Sequence, residues 1–294
     1  MILLLSVLEQ GFIYGIMALG IYITYKILDF PDLTVDGSFP MGAALAAVLI
    51  ARGMNPYLTL PVSFLLGAFI GVLTGVIHVK LGVRDLLSGI IMMTALYTVN
   101  LRIAGRANLP IYNMENVFDN QFVNGIIPES LKNYQTLLII FIITLMVKYL
   151  LDWYLHTKSG YMLRAVGDND TIVTSLGIDK GFVKIVGLAI ANGLVALSGC
   201  LYAQQQRYFD VSMGTGTMVI GLASVIIGTS VFKKMSFLRV TSSVLVGSLM
   251  YKGCVALAIR MGMKSIDLKL ITAVLFLIIL VVGKGRKKKV KGTC

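Results

Sequence analysis

Apolar residues fill nine stretches of this 294-residue chain, at roughly 2–28, 37–51, 58–80, 86–103, 135–156, 182–204, 214–232, 237–258 and 267–283, with short polar breaks between them. A helix needs about 20 apolar residues to cross the hydrocarbon core of a bilayer. Most of the stretches approach that length, and 37–51 is short. Lipid offers no partner for backbone N–H and C=O groups, so such segments are helices that satisfy their own backbone. The pattern predicts an all-α polytopic membrane protein with about eight or nine transmembrane helices. Residues 1–283 form one transmembrane domain and 284–294 a basic tail.

Two breaks are richer than connectors. Residues 29–40 read Asp-Phe-Pro-Asp-Leu-Thr-Val-Asp-Gly-Ser-Phe-Pro, and 208–216 read Tyr-Phe-Asp-Val-Ser-Met-Gly-Thr-Gly. Pro31, Gly37, Ser38 and Pro40 argue against a continuous helix through the first. Asp32-Leu33-Thr34-Val35 matches Asp210-Val211-Ser212-Met213 in type, and Ala18-Leu19 matches Ala196-Leu197 at the same spacing. The charges described below place the two breaks on opposite sides of the membrane. That is the signature of inverted-repeat halves, here about 1–134 and 135–283, whose interrupted helices line the path of a transported solute. Asp32, Thr34, Asp36, Gly37 and Ser38 are the candidates from the first break, and Asp210, Ser212 and Gly214 from the second. A half-helix starting near Ser38 would aim its N-terminal amides and dipole at a cavity, a setting suited to a carboxylate. Thr34, Asp36 and Ser38 equally suit helix caps. Asn100 and Asn192 lie inside apolar stretches, where amides act as inter-helix glue; Asn100 is also a candidate for the path.

The segment from Lys158 to Ile178 patterns as two short helices. Leu163 and Val166 give the first an apolar stripe, and Asp168, Asn169 and Asp170 are N-cap candidates for the second. Ile172, Val173 and Leu176 recur at helical spacing, and Gly177 is a natural C′ residue. An amphipathic surface at the mouth of a membrane domain suits a partner protein that must push on it.

Composition agrees with the span pattern. The chain is 57% hydrophobic and 14% charged, with a mean hydropathy of +0.85, whereas a soluble domain carries about 25% charged residues. The net charge of +12 reflects basic residues at span ends, as the positive-inside rule expects, and does not imply a nucleic-acid partner. Lys80, Arg84, the 158–184 segment, Lys233, Lys234, Arg239 and the tail (Lys284, Arg286, Lys287, Lys288, Lys289, Lys291) define the cytoplasmic side, and the tail suits anionic lipid. Residues 104–134, with Glu115, Asp119 and Glu129, and the N-terminus fall outside. The first residues lack the basic region and small-residue site of a cleaved signal peptide. Cys200, Cys254 and Cys294 are scattered, and His78 and His156 sit near span ends, so no metal or disulfide framework is expected. Gly67/Gly71 and Gly11/Gly15 permit close helix packing.

The chemistry is that of a conduit. No G-x-x-x-x-G-K-[ST] motif occurs, so ATP hydrolysis would have to come from another chain. Asp29, Asp32 and Asp36 resemble the spaced carboxylates that hold magnesium diphosphate in intramembrane prenyl transferases, but Pro31 breaks the helix such a motif needs and no second carboxylate pair accompanies it. An ion-coupled secondary transporter, with Asp32, Asp36 or Asp210 as a proton or sodium site, is the alternative.

Three stretches resemble the permease subunits of bacterial ATP-binding-cassette (ABC) importers in the branched-chain amino acid/ribose group, within it the branch assigned to tryptophan/tyrosine or other amino-acid transport. They are Asp32 to Phe39 with Gly42-Ala43-Ala44, Asp85 to Gly105 followed by Asn108, and Gly160 to Asn169 with Leu176-Gly177-Ile178. The resemblance spans nearly the whole chain. It implies a bacterial plasma-membrane importer of two permeases, a homodimer where one permease type is encoded, with two cytosolic ABC ATPases and an external substrate-binding (lipo)protein. ATP and magnesium would reside on the ATPase, and the C-terminus would be cytoplasmic. Gly160, Arg164, Ala165, Gly167, Asp168, Asn169, Leu176, Gly177 and Ile178 would form the coupling segment that docks on the ATPase. An amino acid-like solute is implied, aromatic before branched-chain. The second break departs from the first, with Gly214 and Gly216 where the first has Asp36 and Ser38.

Overall fold

Helix α1 (Ile2–Ile21) continues into a π-helical segment, Tyr22–Ile27, and the chain then turns at Asp29 with a φ of 52°. The computed structural model describes residues 2–126, 128–175, 177–232 and 239–262, with positions 270, 273, 274 and 277. After the turn come α2 (Val35–Ala51), α3 (Pro56–Val79) and α4 (Asp85–Ala104). A long loop follows, carrying β1 (Asn108–Pro110), α5 (Gln121–Ile126) and a 3-10 turn, Glu129–Tyr134, that leads into α6 (Gln135–Leu155). Next are α7 (Lys158–Asp168), α8 (Asp170–Ser175) and α9 (Lys180–Gln206). Then β2 (Tyr208–Asp210) and a 3-10 turn, Val211–Gly214, precede α10 (Thr217–Val231) and α11 (Val240–Arg260). Among the described residues, seven helices are long and apolar enough to cross a membrane, and α2 is a shorter apolar one. The protein is an all-α polytopic membrane protein. The ninth predicted stretch, 267–283, lies mostly outside the described residues, as do Lys233, Lys234 and the basic tail.

Glycine decides how the bundle closes. Lipid tails are as apolar as leucine, so helices in a membrane associate through close van der Waals contact, which small residues permit. Gly67, Gly71 and Gly75 form one stripe on α3, and a Cβ at each would run into α9 at Asn192, Leu188 and Ile185 respectively, an antiparallel match. Gly11 and Gly15 of α1 seat Leu249 and Leu245 of α11, while Gly228 and Gly247 close α10 on α11 against Ser243 and Ser224. Helix α9 is the hub: α1 crosses it at Gly20–Ala191, and Ser198 Oγ donates to the Ile13 carbonyl at 2.7 Å.

One end of the bundle gathers α7, the C-termini of α1, α3 and α6 and the N-termini of α4, α9 and α11. There Asp152 of α6 accepts from Thr241 Oγ1 at 2.6 Å and pairs with Lys148 at 3.4 Å and Arg239 at 3.2 Å. The other end carries the antiparallel β1–β2 pair, with Asn108 opposite Asp210. Both histidines bond locally at helix ends, His78 Nδ1 with the Val83 oxygen and His156 Nδ1 with the Asp152 oxygen.

The second helix differs from expectation. It begins at Val35, so Gly37, Ser38 and Pro40 are helical. The hydrogen bond that Pro40 forgoes would have gone to the Asp36 carbonyl, and Gly214 lies against that carbonyl and the Pro40 ring.

Gly42 abuts the Ala196 carbonyl where α2 crosses α9, and a Cβ there would penetrate it. Gly42→Ala should therefore greatly reduce the yield of monodisperse protein in detergent gel filtration. Gly253→Ala, in a helix with no atom within 4 Å of its Cβ, should match the wild type.

A polar seam between two interrupted helices

The first break winds back into the bundle as a run of local turns and buried hydrogen bonds. Asp32 is 1% exposed. Its Oδ1 accepts from the Thr34 N–H at 2.9 Å and its Oδ2 from Asn192 Nδ2 at 2.7 Å. Asn192 Oδ1 in turn accepts from Ser38 Oγ at 2.7 Å. The Thr34 and Thr74 hydroxyls lie 3.1 Å apart, and Thr74 Oγ1 donates to the Ile70 carbonyl. Asn100 Nδ2 donates to the Gly37 carbonyl at 3.1 Å, while its buried Oδ1 has no partner among the described residues. The seam thus links α2, α3, α4 and α9 through side chains that can rarely afford to be unpaired at this depth.

Asp36 joins the two breaks. From the first turn of α2 its carboxylate accepts from the Gly216 N–H at 3.0 Å, the Met218 N–H at 2.8 Å and Thr217 Oγ1 at 2.9 Å. It therefore caps α10 across the chain, at an end where a helix presents unpaired N–H groups and a positive partial charge. The first turn of α2 is closed differently. The N–H groups of Asp36, Gly37 and Ser38 donate to the Leu33 and Thr34 carbonyls at 3.2, 2.9 and 2.8 Å. The Asp36, Gly37 and Ser38 amides of α2 and the Gly216 and Met218 amides at the head of α10 are thus engaged within the protein, and none of Thr34, Asp36 and Ser38 caps α2 by its side chain.

The second break repeats the local geometry of the first. Asp210 Oδ1 accepts from the Ser212 N–H at 2.8 Å, as Asp32 does from Thr34. Asp29 and Arg207, with φ of 52° and 61°, are the two positive-φ non-glycine residues among those described, and they stand at the spacing that relates Asp32 to Asp210. Asp210 itself lies at the β1–β2 end, where Asn108 Nδ2 reaches its Oδ2 at 3.4 Å. Asp210 and Ser212 are thus removed from the buried seam, whereas Gly214 is within it, against Asp36. The three carboxylates that could suggest magnesium do not converge, and among the described residues no group of three or more potential ligands could hold a metal.

The predicted pair of short helices is present as α7 and α8, with Gly177 in the left-handed region at φ 75°. Leu163 and Val166 are buried as the stripe requires, and Thr157 caps α7 through Gly160 N–H. Gly160 packs on the Tyr154 carbonyl, and Gly167 on the carbonyl of Ile27, where the π-helical segment ends. Ala165, Asp168 and Asn169 are exposed, while Arg164 and Ile178 are half-buried. Leu176 lies outside the described residues. At the opposite end, the long loop is clasped to α9. Gln204 accepts from the Val117 N–H, and Arg207 bonds the Tyr112 carbonyl at 2.9 Å and Asp119 at 2.6 Å. The Arg207 guanidinium, aided by Asn124, holds the Asp119 carboxyl below the usual carboxylate range.

Thr217, Asp152 and Gln204 escaped the sequence reading. Each is a polar residue near the end of an apolar helix, and its distant partner is what marks it out.

Residues 3–282 match the family model described as branched-chain amino acid transport system / permease component. The chain belongs to this permease family. It is 45% identical over 280 residues to a tyrosine transport system permease protein of Clostridioides difficile, covering 95% of this chain and 91% of the relative. It is 25% identical over 224 residues to a probable branched-chain amino acid transport permease of Methanocaldococcus jannaschii, covering 73% and 70%. It is 26% identical over 225 residues to a ribose import permease of Escherichia coli, covering 76% and 68%. No solved structure matches. This permease is therefore a multi-pass transporter component.

Asp36→Ala strands two amides at the start of α10, and loss of a cap costs about 0.5–2 kcal/mol. The variant should melt several degrees below the wild type in a thermal-shift measurement, with Asp36→Asn between the two. The Asp119–Arg207 clasp follows the sign of a depressed carboxyl. It is formed above the unfolded Asp value of about 3.9 and lost as pH falls through the lower folded value. A fluorophore at Asn113 should report loop release only on strong acidification, and Arg207→Gln should move the release to higher pH.

Proposed function

We propose that this permease is the membrane component of an ABC importer in the bacterial plasma membrane, carrying an amino acid-like solute, aromatic before branched-chain. An external binding protein delivers the solute at the β1–β2 end, and a cytosolic ATPase that binds ATP and magnesium drives it from the α7 end. The aromatic preference follows the 45% identical relative named for tyrosine transport; the ribose relative is more distant. Basic residues at the α7 end, among them Lys80, Arg84, Lys158 and Arg239, favour placing that end and the C-terminus in the cytoplasm. A second copy completes the permease pair.

The observation that carries this reading is the unbroken contact from α7 to the seam. Gly167 rests on the Ile27 carbonyl, and Leu28 packs with Leu163 on Gly187. Asp32 follows four residues later, bonded to Asn192, and Asp36 then holds the start of α10. Force applied to α7 reaches both interrupted helices over a short run of backbone. Two half-helices starting head to head, each on an Asp-x-hydroxyl turn, suit inverted repeats that rock about a path. Asp32, Thr34, Asp36, Gly37, Ser38, Asn100 and Gly214 border that path in this reading, with Asp210 and Ser212 at its outer mouth.

The coupling role is best tested at exposed Ala165 and half-buried Arg164, because Gly167→Pro would disturb the permease itself at Ile27. Ala165→Glu and Arg164→Glu should each abolish co-purification of the ATPase while membrane insertion is retained. Solute uptake should stop when the ATPase is inactivated. Uptake that persists without it would instead establish an ion-coupled carrier using Asp32, Asp36 or Asp210.

A further inference from the structure

A second polar cluster lies toward the β1–β2 end, between α1, α9 and α11, and shares no residue with the seam. Glu9 Oε2 accepts from Gln205 Nε2 at 3.0 Å. Lys252 Nζ donates to Gln10 Oε1 at 3.3 Å and lies 3.6 Å above the Tyr14 ring. Lys252 is eight residues before the end of α11, about 12 Å at 1.5 Å per residue. Glu9 and Lys252 both fall inside membrane-length apolar helices. Charged groups at such depth are costly, and where they occur they mark substrate or ion pathways.

The partners of Lys252 are incomplete for an ammonium. Among the described residues it has an amide oxygen and an aromatic face but no carboxylate within ion-pair distance. Glu9 likewise has an amide donor but no cation. Glu9 and Gln10 are consecutive on α1, so the acid and the amide that holds Lys252 are neighbours at this junction, each charge held by its own amide. A ligand with both charges, an anionic group for Lys252 and a cationic one for Glu9, complements it. An anionic lipid would meet the Glu9 carboxylate unfavourably, and a sugar would leave both charges unmatched.

Beneath the cluster lies an aromatic floor. Tyr14 stacks on Phe39 with centroids 5.7 Å apart, and Tyr202 meets Tyr14 edge-on at 5.5 Å and Phe39 at 5.6 Å. Phe39 is fully buried and directly follows Ser38 of the seam. The floor lies between Lys252 and the seam; the Tyr14 face is taken by Lys252 and Phe39 is fully buried, so the half-buried Tyr202 ring is the part open to an aromatic or aliphatic side chain.

We infer that Glu9, Gln10, Gln205 and Lys252 form an entry site for the zwitterionic head of an α-amino acid, its carboxylate on Lys252 and its ammonium on Glu9, above the Tyr14–Phe39–Tyr202 floor. The inference rests on the transport reading above for its place on a solute path, but its test needs neither the ATPase nor the binding protein.

In membrane vesicles containing the full permease, with Cys200, Cys254 and Cys294 replaced by alanine, Gln206→Cys provides a thiol next to Gln205, to which Gln206 bonds at 2.6 Å. Its rate of modification by a hydrophilic thiol reagent is measured with L-tyrosine, L-leucine or D-ribose present. An amino acid at about four times its Kd should slow labelling about five-fold, ribose should have no effect, and Lys252→Met should abolish the protection. If Lys252→Met fails to insert, Glu9→Gln is read in the same way. Absence of protection by both amino acids, equal protection by ribose, or protection unchanged in the variant would each overturn the site. None of these outcomes touches the importer reading, which stands or falls on the ATPase dependence of uptake.

Discussion

Two helices of this permease begin inside a membrane-length bundle, and each start brings N–H groups that lipid cannot satisfy. The fold meets this constraint with carboxylates and tight turns. Asp36 takes the amides of Gly216 and Met218 at the head of α10, and the Leu33 and Thr34 carbonyls take those of α2. Because the cap for α10 sits in the first turn of α2, the two helix starts must abut. That in turn requires Gly214 to lie against the Asp36 carbonyl and Pro40, and it brings Ser38 and Asp32 onto Asn192.

The rest of the bundle supports that junction by close approach. Glycine stripes let α3 and α9, α1 and α11, and α10 and α11 touch backbone to side chain. The resulting frame is close-packed, so a displacement at its edge is passed on rather than absorbed. Helix α7 stands at such an edge, its apolar side buried and Gly167 on the last carbonyl of the π-helical segment. The opposite end is held more lightly. The Arg207–Asp119 pair is exposed, and exposed pairs contribute little individually. By contrast the Asp152 cluster is buried with Lys148, and removing one member would strand a charge.

Polar groups within the spans fall into two sets of different character. In the seam nearly every donor and acceptor meets a partner, which gives a rigid network that positions backbone. Around Lys252 and Glu9 the charges meet neutral groups alone. The aromatic triad of Tyr14, Phe39 and Tyr202 lies between the two sets.

Sequence alone determined the helical spans, the α7–α8 pair with its buried Leu163 and Val166, the left-handed Gly177, and the matching Asp-x-hydroxyl turns at Asp32 and Asp210. These are properties of covalent neighbours: apolar length, helical periodicity and side chains that bond their own backbone two residues on. Tertiary structure alone decided that Pro40 is helical, that Asp36 caps α10 rather than α2, and that Asn192 joins Asp32 to Ser38. It also brought Gln205 to Glu9 and Lys252 to Gln10. Asp36 and its Gly216 partner are 180 residues apart, and nothing in the local pattern of either names the other. Their meeting depends on where glycine-lined helices cross, and that geometry exists only once the whole bundle has closed.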